Sequence, residues 1–348
     1  MKRGVRSAWV ILVLPWWLGV LASDYRVAKP MPNATIQIPL SAVPLEDASA
    51  ISRVQLVPGE KGVALLYSMT RASSGPRRGY ETSISSIGTM SGAQPSSPLW
   101  VISQMLPPPP SWDAAPASSP PYPIVYEKAL GATYALVLRT AKRADAAFAG
   151  DSPFESFTRP RFVKGSEDDH LRVVTAICDE KSAVLFLQEP DGRYQKHAKL
   201  CDCSDALILK HGDDFILFYK VTVPGPVRGK LLQPGKLMYV KLGKDFAPGG
   251  VPKEVLPGSV VFEFDAAAHE SNLAILATTR AGTVLALGSS LLVPLLEETF
   301  EEKQKGELAS SPSVLLTDSR VDVAMIESAQ TRQARVLIGS VAAADPGH

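Results

Sequence analysis

The chain has 348 residues, of which 36 are Lys or Arg and 35 are Asp or Glu, for a formal charge of +1. Such a balance leaves no electrostatic footprint for nucleic acid or an anionic membrane surface. With 45% hydrophobic and 20% charged residues, the chain can build a sizeable core and is not of the disordered class.

Lys2, Arg3 and Arg6 precede an uncharged run from Trp9 to Ala22, broken by Pro15. A basic head, an apolar stretch and the small residues Ala22 and Ser23 predict a signal peptide over residues 1–22. The run falls short of the roughly 20 residues that span a bilayer, and no later segment reaches that length. The expectation is a secreted or luminal protein with no membrane insertion after cleavage; the alternative is a protein tethered by an uncleaved signal anchor. Cleavage takes away three basic and no acidic residues, so the mature charge is −2.

Residues 23–48 read as an extended arm. Within it Asn33-Ala34-Thr35 is an N-glycosylation sequon, which a secreted chain presents for modification.

From residue 49 to 341 the pattern is one of short apolar runs bounded by Gly, Pro, Asp and Ser, the signature of strands. Helical periodicity is confined to two short candidates, Ala141 to Ala149 and Leu295 to Lys305. Six runs have a continuous apolar centre: Val63 to Ser68, Tyr134 to Arg139, Ala183 to Gln188, Phe215 to Lys220, Leu273 to Thr278 and Val323 to Ser328. Each follows an upstream strand across a short turn. Their start-to-start intervals are 71, 49, 32, 58 and 50, averaging 52, against the roughly 40 to 50 residues of a four-stranded propeller blade. Strands covered on both faces lose the inside–outside alternation of half-exposed ones. The fold class read from this is all-β, a six-bladed β-propeller; the alternative is two β-sandwich domains. The 32-residue interval leaves room for only three strands.

Residues 94–123 interrupt the repeat with Pro, Ser and Ala, including Pro107 to Pro110. They read as a polyproline-like insertion in the propeller domain, with Trp112 as a possible partner contact, since exposed Trp is favoured at binding hot spots. Residues 342–348 form a C-terminal tail.

The three cysteines are Cys178, Cys201 and Cys203. In an oxidising compartment two of them pair, and the strand positions predict a disulfide from Cys178 to Cys201 or Cys203, leaving one thiol over. Cys201-Asp202-Cys203 lacks the neighbouring histidines and spacing of a zinc site. No Gly-x-Ser-x-Gly elbow occurs. Gly225 to Leu231 departs from a phosphate loop by ending in Leu231 and by placing Pro226 where a backbone N–H is needed. The acid pairs Asp168-Asp169 and Asp213-Asp214 lie in turn-like stretches, where Asp serves local hydrogen bonds. No cofactor, metal or catalytic residue is therefore expected.

The six repeated hairpins resemble sialidase-like β-propellers. The resemblance implies a fold. It would also imply three arginines gripping a carboxylate, a Tyr–Glu nucleophile pair and an Asp acid/base. However, no Ser-x-Asp-x-Gly-x-Thr-Trp turn is present, and nothing maps Arg53, Arg71, Arg139, Arg172 or Arg280 onto those roles. The leading expectation for function is a non-catalytic binding module whose loops contact a protein or a glycan. One alternative is a glycosidase-like hydrolase with carboxylates from separate blades. The other is a subunit of a secreted or cell-surface complex, joined through the unpaired cysteine.

Overall fold

The computed structural model describes residues 40–342 except for 44, 46–50, 60–61, 74–78, 89–96, 105–109, 118–119, 131–132, 148–156, 166–170, 180, 224–232, 271, 280–281, 289–295, 300–307 and 329–334. The predicted signal peptide, Asn33 and the tail from 343 lie outside the described residues. So do Asp168, Asp169 and Arg280.

Among the described residues every regular element is a strand, and every strand pair is antiparallel. Strands β2 (Ile51–Gly59), β3 (Gly62–Ala72), β4 (Tyr80–Gly88) and β5 (Trp100–Gln104) form the first sheet in chain order. The second contains β6 (Trp112–Ala114), β7 (Ile124–Leu130), β8 (Thr133–Thr140) and β9 (Arg143–Ala147). The third contains β10 (Phe157–Phe162), β11 (Val173–Cys178), β12 (Ser182–Gln188) and β13 (Tyr194–Asp202). Then come β14 (Asp205–His211), β15 (Asp214–Thr222), β16 (Gly235–Leu242) and β17 (Pro248–Glu254). They are followed by β18 (Val261–His269), β19 (Asn272–Thr279), β20 (Thr283–Gly288) and β21 (Leu296–Thr299). These eight are one continuous sheet, but the two halves meet only at the pair Gly235↔Val261. The last sheet joins β22 (Leu308–Leu316), β23 (Arg320–Ser328) and β24 (Arg335–Ala342) to β1 (Ser41–Val43). Four units thus stand as separate four-stranded sheets, where the sequence predicts six.

The arrangement is a propeller. The first strands touch in a closed ring: β2 against β6, β6 against β10, β10 against β14, β14 against β18, β18 against β22 and β22 against β2. Strand β19 shows why these sequences are apolar on both faces. Its Leu273, Ile275 and Ala277 pack toward the β14–β16 face, while Ala274 and Leu276 pack toward β22–β24. Equivalent apolar clusters fill the gaps between the other neighbours. A strand caught between two such clusters removes both rows of side chains from water, at roughly 25 cal/mol per Å² of apolar area.

Several expectations need correction. Where they are described, both helix candidates are strands, β9 and β21; short Ala-rich and Glu-rich stretches are overridden by ladder pairing with β8 and β20. The arm 23–48 is not wholly outside the domain, because Ser41, Ala42 and Val43 pair with Ile338, Leu337 and Val336 and so tie the two ends of the chain into one sheet. The insertion 94–123 is not a loop appended to the ring: it supplies β5 and the first strand β6. Trp112 is 0% exposed. It packs with Val57, Leu66, Ile84 and Tyr126 between two sheets, so it is core and no surface contact.

The cysteine pairing differs as well. The disulfide joins Cys201 to Cys203, with Cα atoms 5.6 Å apart, and Cys178 is a buried free thiol. Cys178 packs with Val125, Leu138 and Phe186 on one face of its sheet, whereas Cys201 and Cys203 pack with Ala183, Leu185 and Ala206 on the other. A bridge from Cys178 would have to pass through the sheet.

The irregular intervals now have a cause. Tyr134–Arg139 and Ala183–Gln188 are the third strands of their sheets, while the other four apolar runs are second strands. The 32-residue interval is thus a third-to-second spacing, and no three-stranded unit exists there.

Candidate functional site

Among the described residues, most of the buried charged side chains gather at one place, on and beside the ring-forming first strands. Arg53 lies on β2, Asp113 on β6, Arg159 and Arg161 on β10, Asp205 on β14, and Glu263 and Asp265 on β18. Glu263 and Asp265, two apart on a strand, share a face, and Arg159 and Arg161 both reach Asp205.

At this level four of the six first strands carry a register shift: Ile51/Arg53, Thr158/Arg161, Val261/Glu263 and Ser310/Ser313. Arg159 and Ser311 adopt φ of 49° and 51°, in the left-handed region that L-residues other than Asn and Asp rarely occupy. Bulges re-aim side chains and cluster next to active sites, and strained non-glycine residues persist where the surroundings over-determine them.

The side chains form one connected network. Arg53 Nη2 donates to Asp113 Oδ1 at 3.2 Å, and the Phe162 amide donates to Asp113 Oδ2 at 2.9 Å. Arg159 donates to Asp205 through Nη1 and to Glu263 Oε1 through Nη2 at 2.9 Å. Arg161 donates to Asp265 Oδ1 at 3.1 Å and to the Phe264 carbonyl at 2.9 Å. Lys164 Nζ, just beyond β10, reaches Asp265 Oδ1 at 2.5 Å. The Ser311 amide donates to Glu263 Oε2 at 2.7 Å and the Val314 amide to Asp265 Oδ2 at 3.0 Å. Ser311 and Ser313 in turn accept from the amides of Val54 and Leu56, while Gln55 exchanges two bonds with the backbone of Ala114. Lys220 of β15 donates to the Phe262 carbonyl. Its stem fits because residue 235 is glycine: a Cβ there would lie 2.5 Å from Lys220 Cγ and 2.6 Å from the Val221 carbonyl.

The network is graded from inside to outside. Asp113, Asp205 and Asp265 have side-chain exposures of 2% or less, whereas Arg53, Arg159, Lys164 and Glu263 show 13–19%. Burial pushes the Asp113 carboxyl up, against the pull of Arg53, Lys164 and Arg161. Burial also acts to raise Asp205, but Arg159, Arg161 and Lys220 outweigh it and hold that carboxyl down. The Lys220 ammonium is driven down to about 8, first by burial and then by Arg159. The surroundings thus move Asp113 and Asp205 in opposite directions.

Of the arginines flagged in the sequence, Arg53 belongs to this cluster. Arg139 instead lies over the rings of Trp100 and Tyr126, and Arg71 and Arg172 are exposed. Asp213 and Asp214 are exposed in the β14–β15 hairpin, where Asp214 pairs with Lys241. Asp113, Arg159, Arg161, Lys164, Asp205, Lys220, Glu263 and Asp265 escaped the sequence reading. The signal that could have found them is a charge, or two charges two residues apart, at the head of an otherwise apolar strand.

No family model matches the chain, and no curated protein matches it. Solved structures match at the level of the fold. A protein of unknown function from Dyadobacter fermentans aligns at TM-score 0.58 and 8% identity, over 88% of this chain and 98% of its own. The GH93 alpha-L-arabinofuranosidase of Fusarium graminearum, solved with arabinobiose, aligns at 0.55 and 9% identity, over 88% and 98%. Trypanosoma rangeli sialidase, solved with the inhibitor DANA, aligns at 0.52 and 11% identity, over 84% of this chain and 55% of the sialidase. At such identities the likeness establishes an all-β propeller in sialidase-like outline and carries no residue roles across.

Proposed function

We propose that the protein acts on carbohydrate as a glycoside hydrolase whose carboxylates come from separate blades, in the secretory setting that its leader predicts. The observation that carries this reading is the axial cluster: four carboxylates and three arginines from β2, β6, β10, β14 and β18 meet at one end of the ring. Glycoside hydrolysis needs one carboxyl that holds a proton and a second that is ionised. Asp113, pushed up by burial, is assigned the proton. Glu263, the carboxylate of the set with the largest exposure at 15%, is assigned contact with the sugar or its attacking water. Arg53 and Lys164 at the partly exposed edge orient hydroxyls. Two of the structural neighbours are named as glycosidases, which agrees with this reading at the level of architecture.

One observation favours a second reading, a glycan-binding module without turnover. Both oxygens of Asp113, Glu263 and Asp265 already accept from a cation or an N–H of the protein, so these three carboxylates are satisfied without substrate.

Release of aryl alcohol from a panel of aryl glycosides, run beside a glycan-array screen, separates the two. Hydrolysis lost by at least ~100-fold in Glu263→Gln and in Asp113→Asn supports the enzyme. Glycan binding with no turnover supports the module, and neither signal removes both.

A further inference from the structure

Glu263 is supported from four strands besides its own. Its carboxylate accepts from Arg159 Nη2 of β10 on Oε1 at 2.9 Å and from the Ser311 amide of β22 on Oε2 at 2.7 Å. Both supporting residues have left-handed backbone, and the Arg159 amide is itself tied to the Ser111 hydroxyl at 3.0 Å. The main chain at Glu263 is held as well. The Glu263 amide donates to Thr278 Oγ1 of β19 at 3.2 Å, and that hydroxyl donates in turn to the Glu263 carbonyl at 3.4 Å. Phe262 is the residue that the bulge inserts between Val261 and Glu263, and its carbonyl accepts from the Lys220 ammonium of β15.

From this convergence we propose that Thr278 and Lys220 are positioning residues, which fix the bulged backbone and thereby aim the Glu263 carboxylate. The proposal rests on the hydrolase reading, in which Glu263 meets the sugar or its attacking water. Reacting groups must be held to within roughly 0.5 Å of their productive place. A glutamate side chain is long, so contacts on its two oxygens fix it only if the main chain that carries it is fixed too. Lys220 is otherwise a costly occupant of its site. Its buried ammonium makes one hydrogen bond among the described residues, to Phe262, and an apolar side chain of similar length would fill the space without the desolvation penalty. Its stem also requires glycine at 235. Thr278 is buried as well, where Val has nearly the same shape but no hydroxyl. In both residues the polar atom that packing does not need is the one that reaches the backbone at Glu263.

The test compares the full-length protein with Thr278→Val, Thr278→Ser and Lys220→Met on the aryl glycoside that the parent cleaves fastest, with kcat referred to the folded fraction measured by circular dichroism. Thr278→Val should lower kcat about 10–100-fold with KM nearly unchanged, since a misplacement of about 1 Å suffices for such a loss. Thr278→Ser keeps the hydroxyl and should keep most of kcat. Lys220→Met loosens the same bulge from the other side and should behave like Thr278→Val; it carries the test alone if the valine variant does not fold. Crystal structures should show the Glu263 carboxylate displaced from the Ser311 amide in the Val and Met variants and in place in Thr278→Ser. Unchanged kcat in the Val and Met variants, equal losses in Thr278→Val and Thr278→Ser, or a Glu263 carboxylate that stays on the Ser311 amide overturns the proposal. If the parent cleaves no aryl glycoside, the hydrolase reading fails on its own, and the crystal comparison still decides whether Thr278 and Lys220 hold Glu263 in place.

Discussion

Asp265→Asn is the sharpest probe of the axial network. The side chain is 2% exposed and takes four hydrogen bonds, from Arg161, Lys164, Ser313 and the Val314 amide. The amide keeps the shape but removes the charge that two cations share, and turns one acceptor into a donor. Removing one partner from a buried ion pair costs about 3–5 kcal/mol, because the group left behind has neither water nor counter-charge. With an unfolding entropy of roughly 2 cal/mol/K per residue over about 300 residues, that corresponds to ~5–8 °C in the thermal midpoint. The proper control is a pair of equal length at the surface. Lys241 and Asp214 are 3.2 Å apart, against 3.1 Å for Arg161 and Asp265, but their side chains are 64% and 58% exposed. Asp214→Asn should therefore cost ~1 kcal/mol or less. Urea titration of both variants measures the difference. In the double variant Asp265→Asn/Lys164→Met the losses should fall short of additive, since one substitution already breaks the shared contact. If Asp265→Asn costs no more than Asp214→Asn, the cluster is better solvated than its burial implies, and the argument that its ion pairs are shielded from water fails with it.

Four further outcomes follow from the same structure. Gly235→Ala should lose about 1–3 kcal/mol to overpacking, because the new Cβ meets the Val221 carbonyl at 2.6 Å as well as Lys220; a neutral result by urea titration would show that β15 and β16 give way easily. Replacing both Cys201 and Cys203 by Ser should cost only about 1.5 kcal/mol, since a bridge over so short a loop constrains little of the unfolded chain. In the native protein Cys178, its thiol pushed up to about 12 by burial, should resist iodoacetamide until the protein unfolds, and peptide mapping that finds Cys178 in a bridge contradicts both statements. For Lys220 the sign runs from its depressed folded value of about 8 to its ordinary 10.5. Between these the unfolded chain holds a proton that the folded one has shed, so stability from this group rises with pH across the window and is least below about 8. Relative to Lys220→Met, the parent should gain up to about 3 kcal/mol between pH 7.5 and pH 10.5, and a flat difference refutes the assignment.

The sequence was most legible where a strand is apolar on both faces, as in Leu273 to Thr278, because only burial between two neighbours selects that pattern. It was least legible at β6 and β10. Trp112 to Ala114 is three residues long and follows a proline run, and Phe157 to Phe162 contains Arg-Pro-Arg, which local chemistry reads as a loop. Both are strands because Tyr126 and Val125, and Cys178 and Thr175, hold them in register. Their charged side chains face an axis lined by opposite charges instead of water, and composition alone does not distinguish those surroundings. The cysteines failed for a related reason. Chain distance placed Cys178 near Cys201, but the alternation of side chains across a sheet put them on opposite faces.

The same geometry explains why no linear motif marks the candidate site. Each first strand contributes one or two residues to the axis before its chain leaves for the outer strands. Arg159 therefore meets Glu263 across 104 positions, and the Val54 amide meets Ser311 across 257. A ring needs something to lock the heads of its innermost strands, and amide-to-serine bonds serve for β2 against β22. Charges are a costly way to do so, since apolar residues of similar size often serve as well or better. A purely structural lock would also not require bulges at four strand heads, or Arg159 and Ser311 in left-handed backbone. Cost without structural gain is where function is expected, and the bulge between Val261 and Glu263 falls on the residue assigned contact with the sugar.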